Sequence, residues 1–309
     1  MWRLTLLPCF ELRQEPRSNL DREEENSTSE LLCCPICHKP LQRTGPSGLT
    51  QNAIRSSGFS CHSCRRKFSN RGDYVDLTIL DGTRVYDENT TAGAEIFRSP
   101  VVSFVYERGW RQNFARAGFP GPDEEFKMAQ NYFKSVQGGV ILDVSCGSGL
   151  FTRRFAQSGD FSSVIALDFS ENMLRQSNEF IRQDPSLANS NIALVRADVA
   201  RLPFATGSID AVHAGAALHC WPSPAAGMAE IARILKPGGV FVATTFLTPL
   251  PIIDFGNKDI RKVGAISSST LRYWDEAELE ELMGVCGLVE YTRVRLNQFI
   301  MVSAKRAKE

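Results

Sequence analysis

Two sets of residues have the types and spacing to do chemistry. The first is Asp143-Val-Ser145-Cys-Gly147-Ser-Gly149, in which an apolar run ends in a glycine turn and passes into a helix-forming segment. Glycines in such a turn let a ligand approach the backbone. The helix that follows offers unpaired N–H groups at the positive end of its dipole. Asp168 ends the next apolar run, 19 residues after Gly149. A carboxylate there can accept both hydroxyls of a ribose, so turn and aspartate together point to a cofactor that carries adenosine. A dinucleotide fits less well, because its fingerprint has Gly or Ala three residues after its second glycine, and this sequence has Thr152.

The second set is Cys34-x-x-Cys37 with Cys61-x-x-Cys64. Each knuckle supplies two thiolates from one turn, and two knuckles close a tetrahedral zinc site that is structural because no position is left open. Spacing selects Cys34 over its neighbour Cys33, and His38 and His62 each follow a ligand directly and read as flanking groups. Cys146, Cys220 and Cys286 sit singly among apolar residues. Nine cysteines distributed this way belong to a metal site in a reducing compartment rather than to a disulfide framework.

The elements that must position these groups follow from residue 138 onward, where strand and helix patterns alternate. Apolar runs at 140–144, 164–168, 192–196, 209–214 and 240–245 read as strands. Helices fit 150–157, the segment bearing Met173, Leu174, Phe180 and Ile181, the segment after Ser223-Pro224, and one opened by Asp275. Runs at 288–296 and 299–304 are spaced for an antiparallel hairpin. This alternation predicts an α/β fold with a doubly wound, Rossmann-like sheet. The expected organisation is a polar tail or targeting remnant at 1–30, a zinc-ribbon-like module at 31–80 with its own core, a helical linker at 81–137 and a cofactor-binding domain at 138–309. Tyr106, Trp110 and Phe114 lie four apart, an aromatic stripe expected to pack in the core.

Composition narrows the function classes. The chain has 309 residues, 43% hydrophobic and 23% charged, which excludes a disordered or collagenous protein. Its 35 basic and 35 acidic side chains argue against a whole-surface nucleic-acid or membrane binder. The longest uncharged stretch, 240–253, contains Pro249 and Pro251 and is shorter than the ~20 residues of a membrane span, so no transmembrane segment is expected.

The run VILDVSCGSG, followed in order by IALDFSENML, VRADVARLPF, SIDAVHAGAALHCW and LKPGGVFVATTF, resembles the class I S-adenosylmethionine-dependent methyltransferases. With its cysteine knuckles and FRSPVVSFVYERGWRQNF, the whole chain is similar to plant chloroplast methyltransferase-like proteins of the plastoglobule type. That likeness implies a chloroplast location, the cytoplasm being the alternative. The metal module is also similar to that of bacterial large-subunit rRNA guanine methyltransferases. The resemblance implies that Asp143 and the turn Ser145, Gly147 and Gly149 hold the methionine end of S-adenosylmethionine. It further implies Asp168 on the ribose, Phe169 against the adenine, Asp198 on the adenine amino group, the Val199 N–H on a ring nitrogen, and Ala214 near the sulfonium. Ser145 departs from the family, which has glycine there, and puts cofactor geometry in question.

Methyl transfer from a sulfonium needs a positioned, dry pocket and a base only for a protonated acceptor. His219, just past the fourth strand, is the candidate base; His213 lies within that strand and reads as a core residue. The segment His213-Ala-Gly-Ala-Ala lacks the Asp/Asn-Pro-Pro-aromatic signature of enzymes that methylate base amines. An uncharged segment at 246–255, where this fold places a substrate lid, suits an apolar ligand. A small or lipid-like acceptor is therefore the leading expectation. The alternative is RNA, recognised by a zinc module that carries seven basic and two acidic side chains over 33–80, Arg65-Arg66-Lys67 among them. A non-catalytic cofactor-binding protein is the third reading, with Ser145 its hint.

Overall fold

The computed structural model describes residues 31–79, 110–249 and 272–308. The tail at 1–30, Tyr106 and most of the expected lid lie outside the described residues. Among them, eleven strands form one sheet. Five strands carry the cofactor half: β5 (Val140–Val144), β6 (Ser163–Asp168), β7 (Ile192–Arg196), β8 (Ile209–Ala214) and β9 (Leu235–Phe246). They lie parallel in the order β7-β6-β5-β8-β9. The antiparallel hairpin of β10 (Leu288–Leu296) and β11 (Phe299–Arg306) closes one side, with β11 inserted beside β9. This is the doubly wound Rossmann-like sheet the alternation predicts. Its strand order reverses at β5, whose neighbours are β6 and β8. Ligands bind outside the carboxyl ends of strands at such a switch point.

The other side of the sheet is built by the N-terminal module. Strands β1 (Gln42–Thr44), β2 (Gly58–Cys61) and β3 (Arg66–Asn70) form an antiparallel meander, and the two-residue β4 (Val75–Asp76) joins it to β7 in parallel. Helix α1 (Gln51–Arg55) connects β1 to β2, its N-cap Thr50 accepting from the Ala53 N–H. One apolar cluster runs from Leu32, Ile54, Phe59 and Leu77 into Leu142, Ile165, Val195 and Phe241. The expectation of a separate core for the module is thereby corrected. A module this small buries its apolar face against the nearest sheet edge, because alone it lacks the volume for a core.

Helix α2 (Pro122–Phe133) precedes β5, while α3 (Leu150–Ser158) and α4 (Glu171–Gln183) follow β5 and β6. Left-handed glycines bound α3, Gly149 at φ 79° and Gly159 at φ 71°. In α4, Ser170 caps the first turn and Met173, Leu174 and Ile181 face the core. Helices α5 (Pro224–Ile234) and α6 (Glu276–Val285) complete the layers; Asp275 caps α6 by accepting from the Ala277 N–H at 2.9 Å. Two local expectations shift. Ser223 is the N-cap residue of α5 but its hydroxyl makes no cap bond, and Pro224 alone sets the start. Strand β9 begins at Leu235 rather than Val240, with an irregularity where it pairs with β8.

Candidate functional site

The turn after β5, the end of β6 and the segment after β7 meet at the carboxyl edge of the sheet. Ser145 stands in the left-handed region at φ 55°, which a non-glycine residue adopts only at a cost. Its Oγ accepts from the Trp221 indole N–H at 3.0 Å, so the departure from the family's glycine has a partner of its own. Gly147, at φ 56°, donates its N–H to Asp168 Oδ2 at 2.9 Å. Asp168 Oδ1 accepts from the Ser170 N–H at 2.8 Å. Burial raises the pKa of Asp168, and these two N–H groups act against that rise. The carboxylate thus lies against the glycine turn.

Asp143 is turned inward. It is 2% exposed, with Oδ2 accepting from the Thr152 hydroxyl at 2.6 Å and Oδ1 2.8 Å from His213 Nδ1. His213 is a core residue, as the sequence suggested, packed against the rings of Phe151 and Phe155. The carboxylate assigned by resemblance to the methionine end is therefore engaged beneath the turn, and Thr152, where a dinucleotide fingerprint has a small residue, is one of its partners.

The remaining positions line the same edge. Phe169 follows β6, and its carbonyl accepts from Arg196 Nε at 3.0 Å while the guanidinium lies 5.5 Å from its ring centroid. Asp198, two residues past β7, accepts from the Ala200 N–H at 2.9 Å, and Val199 beside it is buried. Ala214 ends β8, fully buried. His219 sits on a 3-10 turn (Leu218–Cys220), with Nδ1 3.3 Å from Thr245 Oγ1 and its ring edge-on to Phe246 at 4.8 Å. Burial pushes the His219 pKa down to about 4, so the imidazole is neutral at pH 7. Burial, with the charge of Asp168 adding to it, pushes Cys220 up to about 12 and keeps its thiol protonated. Sequence reasoning missed Trp221 and Arg196 as partners of this site. A tryptophan and an arginine inside otherwise apolar runs were the available signal.

Beyond His219 an aromatic wall forms. Phe246 meets Phe114 at 5.2 Å, Phe119 at 4.7 Å and Tyr273 at 6.5 Å between ring centroids. Of the expected aromatic stripe, Phe114 packs against Phe119 and Phe246.

At the other end of the sheet the Sγ atoms of Cys34, Cys37, Cys61 and Cys64 lie within 4.8 Å of one another, Cys37 and Cys61 at 3.6 Å. Tetrahedral Zn–S bonds place sulfurs roughly 3.8 Å apart, so the donor set fits a metal ion of that size. His38 and Arg65, each just after the second cysteine of a knuckle, share a left-handed φ of 55° and 53°. Cys33 stands aside from the cluster, its N–H bonded to the Pro203 carbonyl.

A doubly wound sheet with a glycine turn and an aspartate at adjacent strand ends defines a nucleoside-binding α/β protein. Comparison with known proteins narrows that class. Residues 142–243 match the methyltransferase-domain family. An Arabidopsis thaliana protein described as an uncharacterized chloroplastic methyltransferase is 51% identical over 296 residues, 94% of this chain and 83% of that one. A demethylmenaquinone methyltransferase of Desulfitobacterium hafniense is 28% identical over 75% of this chain and 90% of its own. Among solved structures, phosphoethanolamine N-methyltransferase 2 of Haemonchus contortus shares the fold, with a TM-score of 0.55 at 15% identity over 70% of this chain and 60% of that one. The chain belongs to the class I S-adenosylmethionine-dependent methyltransferases and is an enzyme of methyl transfer.

Proposed function

We propose that the chain methylates a small, lipid-like acceptor in the chloroplast, with plastoglobules as the site of action. The observation that carries the acceptor class is the aromatic wall of Phe114, Phe119, Phe246 and Tyr273 beside buried, neutral His219. Such a surface favours an apolar ring or chain and desolvates an approaching charge. The relative described as a demethylmenaquinone methyltransferase supports the same class, and the chloroplastic relative supports the location.

S-adenosylmethionine, when bound, supplies an electrophilic methyl group on a sulfonium. In this reading Asp168 accepts the ribose hydroxyls, Phe169 lies against the adenine, and Asp198 with the Val199 N–H meets the adenine edge. Gly147 and Gly149 keep the backbone open to the methionine end, and Ala214 borders the sulfonium. Asp143 acts through Thr152 and His213, which fix α3 and β8 around the turn. His219, with Nδ1 engaged by Thr245, offers Nε2 to the acceptor; with its pKa lowered, it orients the acceptor and takes its proton only transiently. Cys34, Cys37, Cys61 and Cys64 hold one structural zinc.

The test incubates the purified chain with methyl-tritiated S-adenosylmethionine and, separately, a plastid lipid extract and total plastid RNA. Label entering the organic phase is expected, and it should fall with Asp168→Ala. Label confined to RNA would replace this reading with the rRNA alternative.

A further inference from the structure

Asp76, Arg196 and Asp168 occupy one row across three adjacent strands. Asp76 on β4 registers with Arg196 on β7, and Arg196 registers in turn with Asp168 on β6. Only the last two belong to the stretch that matches the methyltransferase-domain family; Asp76 comes from the metal module. The row is joined by side chains as well as backbone. Arg196 Nη1 donates to Asp76 Oδ2 at 3.0 Å and to Glu171 Oε1 at 2.7 Å. Its Nε donates to the Phe169 carbonyl at 3.0 Å, and its Cζ lies over the Phe169 ring, 5.5 Å from the centroid. Arg196 and Asp76 side chains are 12% and 10% exposed. Asp76 is itself fixed, its Oδ1 accepting from the Thr78 N–H and hydroxyl at 3.1 and 2.7 Å. The Leu77 N–H adds a bond to the Arg196 carbonyl at 2.9 Å.

A guanidinium forks in a plane, so one arginine can hold a carboxylate with one nitrogen and a carbonyl with another. Here one end of that fork is set by the metal module and the other by the loop that follows Asp168. A loop between strand and helix has few bonds of its own, and groups held in a fixed geometry bind with less ordering cost. We infer that Asp76 and Arg196 are positioning residues through which the metal module holds the Asp168–Phe169 segment in its adenosine-binding geometry. The inference rests on the assignment of Asp168 and Phe169 to the adenosine half. It gives the module a purpose in cofactor binding beyond holding its own metal.

The test uses the full chain and isothermal calorimetry with S-adenosylhomocysteine and with 5′-methylthioadenosine, which shares the adenosine but lacks the amino-acid end. Arg196→Lys keeps a cation for Asp76 and Glu171 but cannot also reach the Phe169 carbonyl. It should weaken both ligands by the same factor, about three- to thirtyfold, as expected when a supporting bond is lost. Asp76→Asn retains a neutral acceptor and should give a smaller loss, again equal for both ligands. Circular dichroism and melting temperature confirm that each variant is folded; if Arg196→Lys does not fold, Asp76→Asn decides. Wild-type affinity for both ligands in a folded variant overturns the inference, as does a loss confined to S-adenosylhomocysteine. A wild-type chain that takes up neither ligand overturns the adenosine assignment and this inference with it.

Discussion

Trp221 donates its indole N–H to Ser145 from a position only 5% exposed, so replacing the serine leaves a buried donor without its partner. Against that stands relief of the left-handed backbone, which glycine adopts freely. An unsatisfied buried donor costs about 1–3 kcal/mol and the added chain freedom of glycine about 0.5–1 kcal/mol, together more than the roughly 1–2 kcal/mol of strain relieved, so Ser145→Gly should lower stability in the wild-type background. In the Trp221→Phe background the donor is gone, and the same change should be neutral or stabilising. Urea unfolding of the four proteins checks the reversal. His219 gives a pH signature. Its folded pKa lies near 4 against 6.5 for the free side chain, so its contribution is fully present above pH 6.5 and is lost as pH falls toward 4. By pH 5 the loss amounts to about 2 kcal/mol. The drop in unfolding free energy between pH 7 and pH 5 should therefore be smaller in His219→Gln than in wild type; equal drops would show that His219 does not titrate in this way.

At the scale of elements, the approach of α3 to α4 explains why Gly149 is glycine. Its φ of 79° disfavours any side chain, and an added Cβ would overlap Ser177 Oγ and sit 3.1 Å from Ser177 Cβ. The Ser177 hydroxyl is itself buried without a hydrogen-bond partner among the described residues. Gly149→Ala should cost about 2–4 kcal/mol, the sum of backbone strain and overpacking. Ser177→Ala alone should be neutral or stabilising, because it removes an unpaired polar group, and it should recover part of the Gly149→Ala loss. Thermal melts of the two single variants and the double variant measure that coupling.

For the whole molecule, the shared apolar cluster and the continuous sheet make the module and the cofactor half one cooperative unit. Chelation of the metal, or Cys37→Ser, should then move a single calorimetric transition downward by several degrees rather than split it in two. A separate low-temperature transition with the main one unmoved would restore the picture of two independent cores.

The sequence by itself determined the parallel strands, the glycine turn, Asp168 and the cysteine quartet. These depend on local periodicity and on short spacings that one turn of chain enforces. Val140–Val144 and Ile192–Arg196 stand where their apolar runs place them, because continuous burial on both faces leaves no competing structure. The YVDLTIL run is different. Its apolar and β-branched side chains would suit a longer strand, yet among the described residues only Val75 and Asp76 pair, since the length of pairing is set by the neighbour the run meets. Only the tertiary structure decided that β7 is that neighbour, that Arg196 lies between Asp76 and Asp168, and that Trp221 answers Ser145. Each joins residues between 28 and 120 positions apart. A side chain's partner at such separation is fixed by strand order and register, which no local pattern encodes.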